Sequence, residues 1–97
     1  MPAALWIAHV EVTDPETYAN YIAGATAAVA NHGGTFLARG SRHRQMEGKD
    51  RARNVVIRFP SFEAAVACYE SPEYQAALEF ARPAAVRDLV IVEESIA

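Results

Sequence analysis

The chain has 97 residues, 52% of them hydrophobic and 22% charged, with a formal charge of −3 when the histidines are neutral. That length fits one domain over 1–97, and so apolar and weakly charged a composition excludes a disordered chain. One cysteine excludes an internal disulfide framework and a Cys-based zinc site.

No run of about 18 apolar residues is present, so no membrane span is expected. Met1-Pro2-Ala3-Ala4-Leu5 lacks the basic stretch of a signal peptide, which makes a cytoplasmic protein the expectation. The apolar fraction exceeds the roughly 45–50% of an average domain. A domain this small buries only about two-thirds of its unfolded surface, so some apolar surface needs cover from elsewhere.

Residues 5–12, Leu-Trp-Ile-Ala-His-Val-Glu-Val, are rich in β-branched and aromatic side chains and predict a strand. Trp6, Ala8, Val10 and Val12 give it an apolar face. Leu5, Ile7, His9 and Glu11 grade from apolar to polar on the other. Thr13-Asp14-Pro15-Glu16 predicts a helix start in one of two registers: Asp14 as N-cap before Pro15, or Thr13 and Glu16 as a capping box. Tyr18, Ile22, Ala25 and Val29 then recur at helical spacing, and Tyr21 and Ala28 widen the stripe. Core packing suits both tyrosines better than a place at a cavity rim. Gly33-Gly34 ends the helix.

A short strand at 35–39 leads into a polar, basic and weakly patterned stretch at 40–52, which reads as a loop or extended hairpin. Residues 53–59 alternate as a half-buried strand does, with Val55, Ile57 and Phe59 against Asn54, Val56 and Arg58. Ser61 caps a second helix with the stripe Phe62, Ala65, Val66 and Tyr69. Ser71-Pro72-Glu73 restarts it, and Tyr74, Ala77, Leu78 and Ala81 carry the apolar face on to Pro83. Leu89-Val90-Ile91-Val92 is a continuous apolar run and predicts a central or doubly covered strand.

The order β-α-β-β-α-β is that of the ferredoxin-like α+β fold. Right-handed crossovers put both helices on one face of a four-stranded antiparallel sheet. The other face then receives Leu5, Ile7, His9 and Glu11, with Asn54, Val56 and Arg58, and with Thr35, Leu37 and Arg39. RNA binding would need aromatic side chains where Asn54 and Val56 stand, and the acidic chain disfavours a phosphate partner, so no nucleic acid is expected. Left bare, Leu5, Ile7, Leu37 and Val56 would form the kind of apolar patch that marks an interaction site. Face-to-face packing of two copies, a homodimer closing a part-polar cavity, is the remaining answer.

Five segments carry a family resemblance: Ala8-His9-Val10-Glu11-Val12-Thr13-Asp14-Pro15, His32-Gly33-Gly34-Thr35-Phe36-Leu37-Ala38-Arg39-Gly40, Phe59-Pro60-Ser61-Phe62-Glu63-Ala64-Ala65, Tyr69-Glu70-Ser71-Pro72-Glu73-Tyr74-Gln75 and Asp88-Leu89-Val90-Ile91-Val92-Glu93. In order, along nearly the whole chain, they resemble a bacterial domain-of-unknown-function family of the dimeric α/β-barrel superfamily. The resemblance implies a ferredoxin-like protomer, a homodimer and no established activity. That superfamily includes cofactor-free monooxygenases, haem-degrading enzymes, isomerases and dehydratases, so function has to be sought in the site.

On the expected cavity face, His9 is the candidate proton shuttle and Glu11, two residues along, the carboxylate that orients it. The competing role for His9 is a hydrogen bond across the dimer interface. Arg39 and Arg58 would clamp a carboxylate, enolate or phosphate, or else pair with Glu11 or Glu93. Asn54 could donate to a ligand carbonyl or simply satisfy the cavity wall. The cations of 41–53 read as solvated hairpin charges, with an anion-steering rim as the alternative. His9 and Glu11 are too few for a metal site, Cys68 reads as inert core, and no cofactor is expected. The expected function is a homodimeric small-molecule-binding protein or cofactor-independent acid–base enzyme for a small anionic or carbonyl-bearing metabolite. The rival is a non-catalytic dimeric module.

Overall fold

The computed structural model describes residues 2–95. The alternation read from residues 5–12 becomes strand β1, Ala4–Val12, in which Ala4, Trp6, Ala8 and Val10 are buried and their neighbours are not. Helix α1, Pro15–Asn31, settles the competing starts in favour of Asp14. The Asp14 carboxylate accepts from the Thr17 hydroxyl at 2.8 Å and from its backbone N–H at 3.4 Å, and these bonds hold it below the usual carboxylate range. Past the helix, Gly33 takes the left-handed conformation, φ 78°.

Strands β2, Thr35–Arg39, and β3, Arg53–Phe59, follow, separated by residues 40–52 with no regular structure. Helices α2, Phe62–Glu70, and α3, Pro72–Ala81, lead to β4, Ala85–Glu93. Ser71 serves both helices at their junction. Its hydroxyl donates to the Cys68 carbonyl at 2.7 Å and accepts from the Tyr74 N–H at 3.2 Å.

The strands form one antiparallel sheet in the order β2-β3-β1-β4, which is the ferredoxin-like α+β arrangement. The start of α1 meets the chain after α3, where Ala84 accepts from the Thr13 and Asp14 N–H groups. The end of α1 meets the start of α3 through Asn31 and Glu73. The two helices are therefore antiparallel. They touch at Gly24, where an added Cβ would lie 2.8 Å from that of Ala77. Under them, Trp6 packs its ring 5.7 Å from Phe59, 5.8 Å from Tyr69 and, edge-on, 5.1 Å from Tyr74. Among the described residues no helix is long and apolar enough to cross a membrane.

Two strands depart from the expectation. β4 is an edge strand of nine residues rather than a central or doubly covered one. Leu89 and Ile91 pack against the core, while Val86, Val90 and Val92 are about half exposed. Its run is apolar throughout because the uncovered face is itself apolar. β2 carries a bulge: Phe36 stands opposite Ile57 but Ala38 opposite Val56, so Arg39 falls opposite Val55. One extra residue turns Arg39 from the open face to the helix side.

Removing the shared cap tests the α2–α3 junction. Ser71→Ala should cost about 1–2 kcal/mol, read as a lower urea midpoint with an unchanged slope. A wild-type midpoint would show that the hydroxyl does not hold the junction.

Candidate functional site

On the open face, β1 sits between β3 and β4 in rows set by the register. Arg58, Leu5 and Val92 form one row, Val56, Ile7 and Val90 the next, and Asn54, His9 and Asp88 the third. His9 Nδ1 lies 2.6 Å from Asn54 Oδ1, and Asn54 Nδ2 donates to the Arg51 carbonyl at 3.1 Å. That second bond fixes the amide orientation. A carboxamide oxygen can only accept, so His9 Nδ1 carries the proton and the neutral ring keeps a lone pair on Nε2. Asn54, not Glu11, orients the ring; among the described residues no bond joins Glu11 to His9. Arg58 donates twice to Glu94, at 2.8 and 3.1 Å, rather than to Glu11 or Glu93. Arg51 reaches Asp88 at 3.2 Å.

A cleft lies on the other side of the sheet, under α1. Trp6, Tyr18, Tyr21 and Phe36 wall it, and Arg39 and Arg53 border it. Ala8 and Ala25, too short to meet, leave it unfilled. Its volume is about 30 Å³, room for water but for nothing larger until Arg39 moves from the mouth. Exposed Arg39 closes the mouth: it donates to the Thr26 hydroxyl, and its guanidinium carbon lies 3.9 Å from the centroid of the Phe36 ring. Half-buried Arg53 runs beside Gly40, whose φ of 68° suits glycine and whose added Cβ would lie 2.9 Å from Arg53 Nη1. Among the described residues neither Arg39 nor Arg53 has a carboxylate partner.

Across Val10 from Arg53 stands Arg87. Its Nη2 donates to the hydroxyls of Tyr21 at 2.7 Å and Tyr74 at 3.1 Å, and its guanidinium carbon lies 4.6 Å from the centroid of the Tyr21 ring. It too lacks a carboxylate among the described residues. Burial pushes the phenols of Tyr21 and Tyr74 above their usual range.

Arg39 and Arg58, expected together on one face, thus lie on opposite faces, parted by the β2 bulge. Arg53, read among the hairpin charges, alternates in step with Val55 and Ile57, a signal that places it on the helix side; Arg87 and its tyrosines had no local signal. Trp6 is core, as its alternation predicts, and also a wall of the cleft. Cys68 is fully buried, which pushes its thiol up to about 11 and leaves it inert. Residues 41–50 are exposed, with His43 3.2 Å from Asp50. Among the described residues no three His, Cys, Asp or Glu side chains converge as a metal site requires.

The His9 tautomer can be observed directly. ¹⁵N spectra of the neutral ring should show the Nδ1-protonated form, and Asn54→Leu should release it. A wild-type ring protonated on Nε2 would contradict the assigned bond.

No curated protein matches the chain. A protein of unknown function from Rhodopseudomonas palustris is similar in structure, with a TM-score of 0.78 at 19% identity, covering 99% of this chain and 85% of that one. A dimeric ferredoxin-like protein of unknown function from Thermobifida fusca gives 0.63 at 18%, covering 96% and 92%. SnoaB, a cofactor-independent oxygenase from Streptomyces nogalater, gives 0.62 at 12%, covering 100% and 97%. Identities this low speak for the fold alone. The family model for Domain of unknown function (DUF1330) matches residues 3–95, and the chain belongs to that family.

Proposed function

We propose that the protein is a homodimeric small-molecule-binding protein that takes an apolar or aromatic anion into the cleft under α1, its charge held by Arg39 and Arg53. The observation that carries this reading is a pair of guanidinium groups without carboxylates bordering an aromatic-walled cleft. Half-buried Arg53, a cation beside apolar walls, is costly unless paired, and a ligand carboxylate supplies the pairing. Entry exchanges the Thr26 hydroxyl on Arg39 for that carboxylate, a stronger charge-assisted acceptor, as Arg39 swings away from Phe36. The exposed Arg42, Arg44 and Lys49 of the neighbouring segment raise the local anion concentration.

The dimer in this reading closes over the open face, where Leu37, Val86, Val90 and Val92 are exposed beside Leu5, Ile7 and Val56. The Thermobifida fusca neighbour is described as dimeric, which supports the same arrangement. His9 then meets the partner copy through its free Nε2, and Arg58 and Glu94 fall within the interface.

The His9 ring supports a second reading. An Nε2 free to accept a proton suits a cofactor-independent acid–base enzyme working on the open face, with Asn54 holding the ring and Glu11 nearby. The two readings part on which substitution abolishes ligand binding, Arg53→Met or His9→Ala.

Calorimetric titration with benzoate and phenylacetate tests the cleft. Binding to the wild type should weaken in Arg53→Met by about 1.5–3 kcal/mol, the value of a hydrogen bond to a charged group. No heat with any apolar carboxylate at millimolar concentration would remove the cleft reading, and equal affinity in Arg53→Met would remove Arg53 from it. Light scattering tests the assembly: a dimer is expected for the wild type and a folded monomer for Val90→Glu. A wild-type monomer at tens of micromolar, on the order of concentrations where specific homodimers persist, would refute it.

A further inference from the structure

Two guanidinium groups border the cleft from one edge of the sheet. Arg39 stands opposite Val55 in the register of β2 with β3, and Arg53 lies two residues before Val55, on the same side of the sheet. Diagonal positions of this kind are about 7–8 Å apart, within reach of long side chains. The Arg53 side chain closes part of that interval, since it lies along Gly40, the residue after Arg39.

The two groups are held differently. Arg39 gives one Nη to the Thr26 hydroxyl. The Arg53 guanidinium meets no acceptor among the described residues, and none of its nitrogens is sealed from solvent. Donors from both side chains are therefore within reach of a ligand at the mouth. No histidine or carboxylate is among the described residues that line the cleft, so its walls supply no negative charge to cancel theirs.

A carboxylate has two oxygens, and bidentate pairing with one guanidinium uses both. Shared between two guanidinium groups, it leaves each fork incomplete. A phosphate monoester offers three terminal oxygens and about −1.5 to −2 charges at pH 7, enough to fill one fork and accept from the other. We infer that the head group the cleft selects is a phosphoryl dianion on an aromatic body, as in an aryl phosphate monoester or arylphosphonate, over a singly charged group of the same shape. The inference rests on the cleft reading above and narrows its ligand class. Arg53 meets the phosphoryl group where it stands, and Arg39 joins by giving up the Thr26 hydroxyl.

Phenyl phosphate and phenyl sulfate share size and tetrahedral shape, and at pH 8 they differ by one charge. In calorimetric titration of the wild type at pH 8, phenyl phosphate should bind about tenfold tighter, the weight of one hydrogen bond from a charged group. The advantage should shrink towards parity at pH 5, below the second phosphoryl pKa of about 6. Arg39→Met and Arg53→Met should each remove most of it. Equal affinities for the two compounds at pH 8 would overturn the inference and leave the cleft reading standing. Absence of binding by both, and by benzoate, would overturn both readings. Methyl phosphate binding as tightly as phenyl phosphate would place the dianion on the exposed cations Arg42, Arg44 and Lys49 and overturn the inference, as would a preference that survives in either variant. Should neither variant fold, ³¹P spectra of phenyl phosphate on the wild type read the same selection. A tenfold preference for the dianion lowers the second pKa of the bound phosphoryl group by about one unit; an unchanged pKa overturns the inference.

Discussion

Every side chain of a β-strand points to one of two faces, and the helices of this fold can cover only one. The other arrangements follow from that constraint. Trp6, Ala8 and Val10 take the covered face with Val55, Ile57 and Phe59, and Trp6 reaches across to Tyr69 and Tyr74 on the helices. Leu5, Ile7, Val56, Val90 and Val92 are left on the face the chain cannot cover by itself. A surplus of apolar residues for so short a chain is thereby gathered in one place instead of scattered, and a gathered patch is what a second copy can use.

Charge is divided by the same sheet. Arg51 and Arg58 meet carboxylates, Asp88 and Glu94. Arg39, Arg53 and Arg87 lie on the helix side, where Arg39 meets a hydroxyl, Arg87 meets two phenols and Arg53 lies along Gly40. Neutral oxygen partners satisfy hydrogen-bonding geometry without cancelling charge, so the cleft keeps a positive field inside an acidic protein. The close contact of Gly24 with Ala77 belongs to the same construction, because it lets α1 and α3 come near enough for the two phenols to meet.

Local chemistry made much of this legible in the sequence. The alternation of residues 5–12 and 53–59 assigns both faces of the two central strands, and Asp14-Pro15 and Ser71-Pro72 mark helix starts where they occur. What escaped depends on contacts between distant segments. A bulge has no signature in Thr35-Phe36-Leu37-Ala38-Arg39, since strict alternation describes those residues equally well; only pairing with β3 reveals the extra residue. The run 89–92 looks the same whether its second face meets a helix layer or a second subunit. The pairing of His9 with Asn54 spans 45 positions, whereas its expected partner Glu11 was simply the nearest carboxylate in the chain.

The bulge in β2 also bears on how relatives of this chain can diverge. A side chain's face is set by the count of residues before it as much as by its identity. Pairing Leu37 regularly with Val56, with no residue left over, would carry Arg39 through the sheet, taking a cation from the cleft mouth and placing it on the open face. No side chain need change type. A one-residue slip of pairing at that edge would exchange the charges of the two faces and leave no trace in an alignment of residue types.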